Sequence, residues 1–347
     1  MYRVGIIGCG RPHKTEGATG FAMSRAHAEG YRASADAEIV ALADIKLDNA
    51  QAFQAVYGGD KLYTDYRAML AQEKLDIVSI STWPHLHAEM VIAAAEAGVK
   101  AVHCEKPMAP TYGEAVRMVR ACEANGVQLT INHQRRFGAP FRQAKELVKQ
   151  GVIGELQRVE AVCDNLYDWG THWFDMMFFY NDQTPVEWVI GQVDARGSHN
   201  VFDVLVEGQG LSHFLFQNGV IGQLVTGYGT KGFVNRLIGT DGMIEVGYSP
   251  EIPLRVRGVG DGAWRNVDVG EGIHGVPEYV ARGVLDLIDA LKTGREPELA
   301  GRRALQATEL IFATYESSRR RGRIDLPLTV EDSPFRAMVD EGLLPAE

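Results

Sequence analysis

Short apolar runs alternate with longer amphipathic stretches from the N-terminus to residue 131. The runs at 2–7, 38–43, 77–81, 101–104 and 127–131 are rich in Val, Ile, Leu and Ala and read as buried strands. Between them, a stretch from about residue 21 and those at 47–57, 65–71, 88–97 and 112–124 have helical composition. Strand, helix and strand in repetition predict a parallel sheet with helices on both faces. Such sheets bind ligands at the carboxyl ends of their strands, where Gly8, Asp44, Thr82, Lys106 and Asn132 fall.

After Gly154 the texture changes. A strand at 155–163 is followed by short apolar runs separated by glycine, at 201–206, 212–216, 220–227, 236–238, 243–246 and 254–256. Repeated short strands with turn signals predict an antiparallel sheet. Residues 276–291 and 304–317 are amphipathic helices expected to pack on one domain or the other, and 335–347 reads as an accessory tail.

Composition narrows the possibilities. With 347 residues, 46% hydrophobic and 23% charged, the chain is an ordinary globular protein of two expected domains. A formal charge of −10 spread along the chain, without a basic stripe, argues against a nucleic-acid binder. Cys9, Cys104, Cys122 and Cys163 lack the paired spacing of a zinc site, and most lie in or beside apolar runs, as free thiols of a reducing compartment do. No leader pattern and no apolar run of membrane-spanning length stands out, so a cytoplasmic protein is expected.

Several stretches carry chemistry. The first strand runs into Gly8-Cys9-Gly10, where glycines let backbone N–H groups approach a pyrophosphate at a helix start. His13 stands where a third Gly or Ala is usual, and the polar run 14–20 intervenes before the helix. The strand-terminal Asp44, a helix cap or a ligand of ribose hydroxyls, comes about ten residues later than the usual spacing of about 20, and removing 14–20 as an insertion largely restores it. Pro107 disfavours helical geometry at Lys106, which aims that ammonium from a strand end. His85 and His87, two apart, face different directions and suit a cap or packing better than a metal. Asp168 and His172 are four apart, with Asp175 three further on, so in a helix the three share a face. A carboxylate beside an imidazole orients the ring as a proton acceptor.

Gly8-Cys9-Gly10, Asp44, Tyr63-Thr64-Asp65-Tyr66, Asp76-Ile77-Val78, Pro84-His85-Leu86-His87, Glu105-Lys106-Pro107 and His133-Gln134-Arg135-Arg136-Phe137 resemble, in order and spacing, the Gfo/Idh/MocA family of NAD(P)-dependent dehydrogenases of sugars, inositols and related polyols. The resemblance covers nearly the whole chain, with Asp168-x-Gly170-x-His172-x-x-Asp175 matching the family's second signature. It implies an α/β Rossmann domain (parallel, doubly wound) over 1–133, an α+β domain with an open, mostly antiparallel sheet over 134–330, and a tail over 331–347. It also implies a cis bond before Pro107, and Lys106, Asp168 and His172 as the catalytic set. Cofactor contacts are implied for Gly8, Cys9, Gly10, Arg11, Pro12, Asp44, Ser81, Thr82, Pro84, His87, Glu105, Lys106 and Asn132. Substrate contacts are implied for Lys106, Asn165, Trp169, His172 and Asp175, the last to substrate hydroxyls. The segment 164–167 is short where relatives often carry a Gly-rich loop, so Tyr167, Trp169, Trp173 and Asn165 are the candidates for the substrate-facing wall.

The implied chemistry is reversible hydride transfer, with His172 backed by Asp168 taking the hydroxyl proton and Lys106 stabilising charge on the reacting oxygen. Asp44 would repel a 2'-phosphate, favouring NAD over NADP although Lys46 is close. The expected partners are a small sugar or polyol and further copies of the chain, as a homodimer or homotetramer on the second sheet, with no metal, nucleic acid or membrane. Two alternatives share the fold: an NAD-retaining glycoside hydrolase, and a non-catalytic sugar- or NAD-sensing regulator.

Overall fold

The structure, a computed structural model, describes residues 1–12, 15–16, 22–227 and 234–344. Most of the predicted insertion at 14–20 lies outside the described residues. In chain order the first elements are β1 (Tyr2–Ile7), α1 (Met23–Arg32), β2 (Ala37–Ala43), α2 (Leu47–Tyr57), β3 (Lys61–Tyr63), α3 (Tyr66–Gln72), β4 (Ile77–Ile80), α4 (Pro84–Glu96), β5 (Ala101–Cys104), α5 (Tyr112–Ala124) and β6 (Gln128–Ile131). There follow α6 (Ala139–Lys149), β7 (Leu156–Cys163), α7 (Gly170–Tyr180), β8 (Val186–Asp194), β9 (His199–Val201), β10 (Val204–Val206), β11 (Gln209–Phe216), β12 (Ile221–Thr226), β13 (Asn235–Gly239), β14 (Met243–Ser249), β15 (Ile252–Arg257) and β16 (Arg265–Asn266). The chain closes with α8 (Glu278–Thr293), α9 (Gly301–Arg320), β17 (Ile324–Asp325) and α10 (Pro334–Asp340). None of the described helices is long and apolar enough to cross a membrane.

The chain divides into two compact units, the first made of 1–110, 114–134 and 276–302 and the second of the remainder. The first unit holds an all-parallel sheet in the order β3-β2-β1-β4-β5-β6. Its direction of winding reverses between β1 and β4, which opens a crevice at their carboxyl ends. Strands β4 and β5 are buried along their whole length, as strands covered on both faces must be. Asp65 starts α3 by accepting the Arg67 N–H at 2.9 Å. The helix α8 joins this unit: Val284, Leu287 and Ile288 pack with Tyr31 and Phe53 in one cluster. A Cβ on Gly30 would lie 2.6 Å from Val284, so glycine permits α1 and α8 to approach.

The second unit holds a nine-stranded sheet in the order β16-β15-β14-β13-β7-β12-β11-β8-β17, antiparallel except for the β7–β12 pair. Along β11, Ser212, Phe214 and Phe216 are buried while Leu211 is exposed, the period of two of a half-covered strand. Phe214 and Phe216 meet Phe174 and Phe178 of α7 at ring distances of 5.8 and 5.5 Å.

Two expectations are corrected here. Residues 201–206 form no single strand: Phe202 and Asp203 have φ of 51° and 62°, and they turn β9 back onto β10. Positive φ at both central positions is the geometry that a two-residue hairpin of right-handed twist requires. Phe-Asp carries none of the glycine or asparagine that advertises it. Nor is the segment from 331 an appendage: Phe335 is fully buried and stacks on Tyr315 at 5.3 Å, inside the second unit.

Candidate active site

The first cluster grows from the end of β1. Gly8 and Gly10 have φ of 86° and 61°, a region favourable to glycine alone. A Cβ on Gly8 would meet the Ser81 carbonyl oxygen at 2.6 Å, whereas among the described residues one on Gly10 would meet nothing nearer than 3.9 Å. Among the described residues the loop is therefore pressed against the end of β4 on one side and open on the other. Asp44 shapes it: Oδ2 accepts the Gly10 N–H at 3.0 Å, and Oδ1 accepts the Lys46 N–H and the Asn49 side chain at 2.9 and 3.1 Å. The following helix, α1, starts without a side-chain cap and without an acidic residue in its first turn. Uncapped N–H groups beside an open glycine loop fit the pyrophosphate of a dinucleotide. Cys9 contributes only backbone there, because its side chain is buried in the core and burial, with Asp44 nearby, pushes its thiol far up. Arg11 is exposed and donates to the Glu16 carbonyl at 2.5 Å, beside a half-buried Pro12.

The second cluster lies at the end of β5 in the same unit. The Lys106–Pro107 bond is cis, and Lys106 is half-buried. Glu105, expected to touch cofactor, is turned inward instead. Its Oε1 takes His27 Nε2 at 2.8 Å and Asn132 Nδ2 at 2.6 Å, and its Oε2 takes the Lys106 N–H at 3.2 Å. Burial alone would raise this carboxyl; His27, Asn132 and the Lys106 charge together hold it below the usual range. His27 was not singled out from sequence. The only hint is that it lies four positions before Tyr31 on one helix, so that both fall on the inner face.

His87, also expected at the cofactor, is fully buried and faces three carbonyls, with Nδ1 2.9 Å from Pro107 and 3.2 Å from Met108 and Nε2 3.1 Å from Thr82. It fastens the start of α4 to the Lys106 loop, and burial depresses its pKa. Pro84 is the buried first residue of α4, while Ser81 and Thr82 are half-buried at the end of β4.

In the second unit, β7 ends in a turn that leads into α7. Asn165 organises it: its Oδ1 accepts the Asp168 N–H at 2.7 Å and its carbonyl accepts the Gly170 N–H at 2.8 Å. Asn165 is 2% exposed, and both acceptors serve the turn. Asp168 precedes the helix, so the shared-face argument for Asp168 and His172 holds only for His172 and Asp175. His172 is 3% exposed, Trp169 is half-buried and Trp173 is buried. The Arg135 guanidinium lies over both indoles, 5.4 Å from Trp169 and 4.5 Å from Trp173. Asp175 departs most from expectation. Its two oxygens accept from Arg136 Nε and Nη2, and at 1% exposure the carboxylate is committed to a buried ion pair. Arg136 stands in the run His133-Gln134-Arg135-Arg136-Phe137, yet nothing local in that run marks its partner.

Glu207 secures the turn from behind. Fully buried, it accepts the Leu166 N–H at 2.6 Å, the Thr226 hydroxyl at 3.0 Å and the Tyr315 hydroxyl at 2.6 Å, and burial raises its carboxyl despite those bonds. Among the described residues no group of His, Cys, Asp or Glu is arranged to hold a metal.

A parallel sheet with an open glycine loop at its winding reversal, a strand-terminal acid and a Glu-Lys-Pro loop defines a dinucleotide-binding oxidoreductase unit. The model of the Gfo/Idh/MocA oxidoreductase family, NAD-binding Rossmann fold, matches residues 2–133, so the first unit carries the NAD-binding domain of that family. D-apiose dehydrogenase of Paraburkholderia graminis is 28% identical over 98% of this chain and 94% of its own length. Myo-inositol 2-dehydrogenase of Thermotoga maritima is 31% identical over 44% of this chain and 42% of its own. A levoglucosan dehydrogenase solved in complex with NADH shares the fold with a TM-score of 0.80, at 21% identity over 94% of this chain and all of that one.

Proposed function

We propose that the chain is an NAD-dependent dehydrogenase that interconverts a secondary alcohol and a ketone, or a lactol and a lactone, on a sugar, inositol or related polyol. The observation that carries the reading is that Lys106 stands at the carboxyl edge of the same sheet that presents Gly8, Gly10 and Asp44. The names of the relatives support the substrate class.

Gly8, Gly10 and the start of α1 would hold the pyrophosphate, and Asp44 the adenosine ribose. The bound nicotinamide supplies the hydride chemistry. Lys106 donates a hydrogen bond to the reacting oxygen and stabilises negative charge there. His172 takes the hydroxyl proton in oxidation and returns it in reduction, with Asp168 favouring the cationic ring. The ammonium and the imidazole are assigned to one reaction on chemical grounds, since alcohol oxidation needs both a stabiliser of charge and a proton acceptor. Exposed Leu211 and Val225, paired across β11 and β12, with Ile190 on β8, support self-association through the open sheet, which light scattering would measure.

A spectrophotometric panel of inositols, aldoses, sugar acids and keto-sugars with NAD+ and NADP+ tests the reading. Steady NADH formation with at least one polyol or sugar is expected. Release of a leaving group without net NADH would place the chain among hydrolases instead.

A further inference from the structure

His27 is fully buried, on α1, and both its ring nitrogens are engaged: Nδ1 lies 2.7 Å from Ser79 Oγ and Nε2 lies 2.8 Å from Glu105 Oε1. A carboxylate has no proton to give, so the hydrogen in the second contact sits on Nε2. The ring's neighbour on β5 is His103, 4.5 Å away and tilted, whose own Nδ1 meets Thr130 Oγ1 at 2.8 Å on β6. Ser79, His103 and Thr130 face one another in register across β4, β5 and β6. A polar layer thus runs under the sheet, and it ends at the buried Glu105.

What Glu105 does with that support is unusual. Its Oε2 accepts the backbone N–H of the next residue, Lys106, at the point where the chain leaves the sheet. The last ladder bonds here are Glu105 N to the Ile80 carbonyl and Asn132 N to the Cys104 carbonyl. Pro107 has no N–H to contribute. The Asn132 amide is oriented by the same carboxylate, because its nitrogen, not its oxygen, must face Oε1.

We propose that His27 is a positioning residue for Lys106, acting through Glu105: the buried His27–Glu105–Asn132 cluster fixes the Lys106 peptide and so aims its ammonium. This rests on the assignment of Lys106 to the reaction. His87 holds the far side of the same loop, through the Pro107 carbonyl, so the loop is gripped by a buried histidine from each of two helices. The difference is that only His27 reaches the carboxylate that binds Lys106.

Amide substitutions separate this role from simple core filling. His27→Gln places a donor near the Nε2 position and keeps the bond to Glu105. His27→Asn reaches only the Nδ1 position, so it keeps Ser79 and loses Glu105. On this proposal His27→Asn lowers turnover by roughly 10²-fold, the cost of misplacing a reacting group by about an ångström, and His27→Gln restores most of it. NAD binding, followed by fluorescence titration, stays within about 2-fold in both. Adding Glu105→Gln to His27→Asn costs little more than Glu105→Gln alone, because residues acting in one line are not additive.

A second readout needs neither cofactor nor substrate. Reductive methylation with a 13C label gives Lys106 its own NMR signal, assigned by its loss in Lys106→Ala. That signal should move in His27→Asn and return in His27→Gln. Equal turnover and an unmoved Lys106 signal in the two amide variants would overturn the proposal, as would full additivity with Glu105→Gln. Should His27→Asn fail to fold, Asn132→Ala removes the other donor to Glu105, and the same two outcomes decide. Normal turnover in Lys106→Ala would instead overturn the assignment of Lys106 itself, which is a different failure from an inert His27.

Discussion

Asp175 and Arg136 form a two-pronged ion pair in the second unit, Oδ2 to Nε at 2.7 Å and Oδ1 to Nη2 at 2.8 Å, with at most 1% of either residue exposed. The pairing is what permits two full charges in the interior, since each desolvated group answers the other in a planar fork. It ties α7 to the turn just before α6, and the Arg136 guanidinium also covers Phe179 at 5.4 Å.

Removing one partner leaves the other buried and uncompensated. Asp175→Ala is therefore expected to destabilise the protein by about 3–5 kcal/mol, measured by denaturant unfolding. An unchanged unfolding midpoint together with a raised KM would return Asp175 to the substrate.

Asp44 shapes the Gly10 loop, and on the proposed reading its carboxylate would face the 2'-phosphate of NADP. NAD should bind more tightly than NADP. Asp44→Ala should weaken NAD through the loosened loop and narrow the ratio between the two cofactors. Competition binding measures both constants, and equal preference in the unaltered protein would remove the assignment of Asp44.

His172→Ala should lower turnover by about two to four orders of magnitude, the usual contribution of a positioned proton acceptor. NAD affinity should not change, because the glycine loop, Asp44 and the Lys106 loop are all in the first unit. Single-turnover kinetics and cofactor titration on one preparation check the two halves of this expectation.

His87 and His103 are both held below the ordinary imidazole value of 6.5, in each case chiefly by burial, and for His103 also by the neighbouring His27. A depressed folded-state pKa means that the unfolded chain binds protons first as pH falls. The stabilisation is complete above 6.5 and is lost as pH drops from there through the folded-state values. Thermal unfolding between pH 7.5 and 5 should show stability falling with pH, and His103→Asn should flatten that slope. A slope unaltered by the substitution would assign the effect to other groups.

Phe335 is the anchor of α10, stacked on Tyr315 and fully buried. Phe335→Ala should cost about 3–5 kcal/mol, as large-to-small changes of a buried aromatic do. Calorimetry gives the value, and a loss below about 0.5 kcal/mol, the level of an ordinary surface position, would restore the segment to an appendage.

How much could be read in advance divides along one line. The alternation of strands and helices, the glycine loop, the strand-terminal Asp44 and the place of Lys106 at a strand end were all legible, because periodicity, glycine conformation and the restriction before proline are local properties. Where residues lie in the fold was thus easier to read than what they touch. Asp175 and Glu105 were assigned to ligands because an acid in a signature looks the same whether it faces solvent or a buried cation. His27 escaped notice for the same reason, since a single histidine on a helix has no pattern.

The amino-acid sequence by itself determined the alternation of strands and helices in the first unit and the strand ends at which its chemistry stands, since each follows from a few neighbouring residues, whereas it marked neither α6 nor β8. Tertiary structure alone decided that Glu105 meets a histidine 78 positions away and that Asp175 meets an arginine 39 positions away. It also decided that Phe202 and Asp203 turn a hairpin and that α10 docks by Phe335. A charge or an aromatic ring has no preferred partner until the fold removes water from around it, and which groups are then left facing one another is a property of the assembled unit.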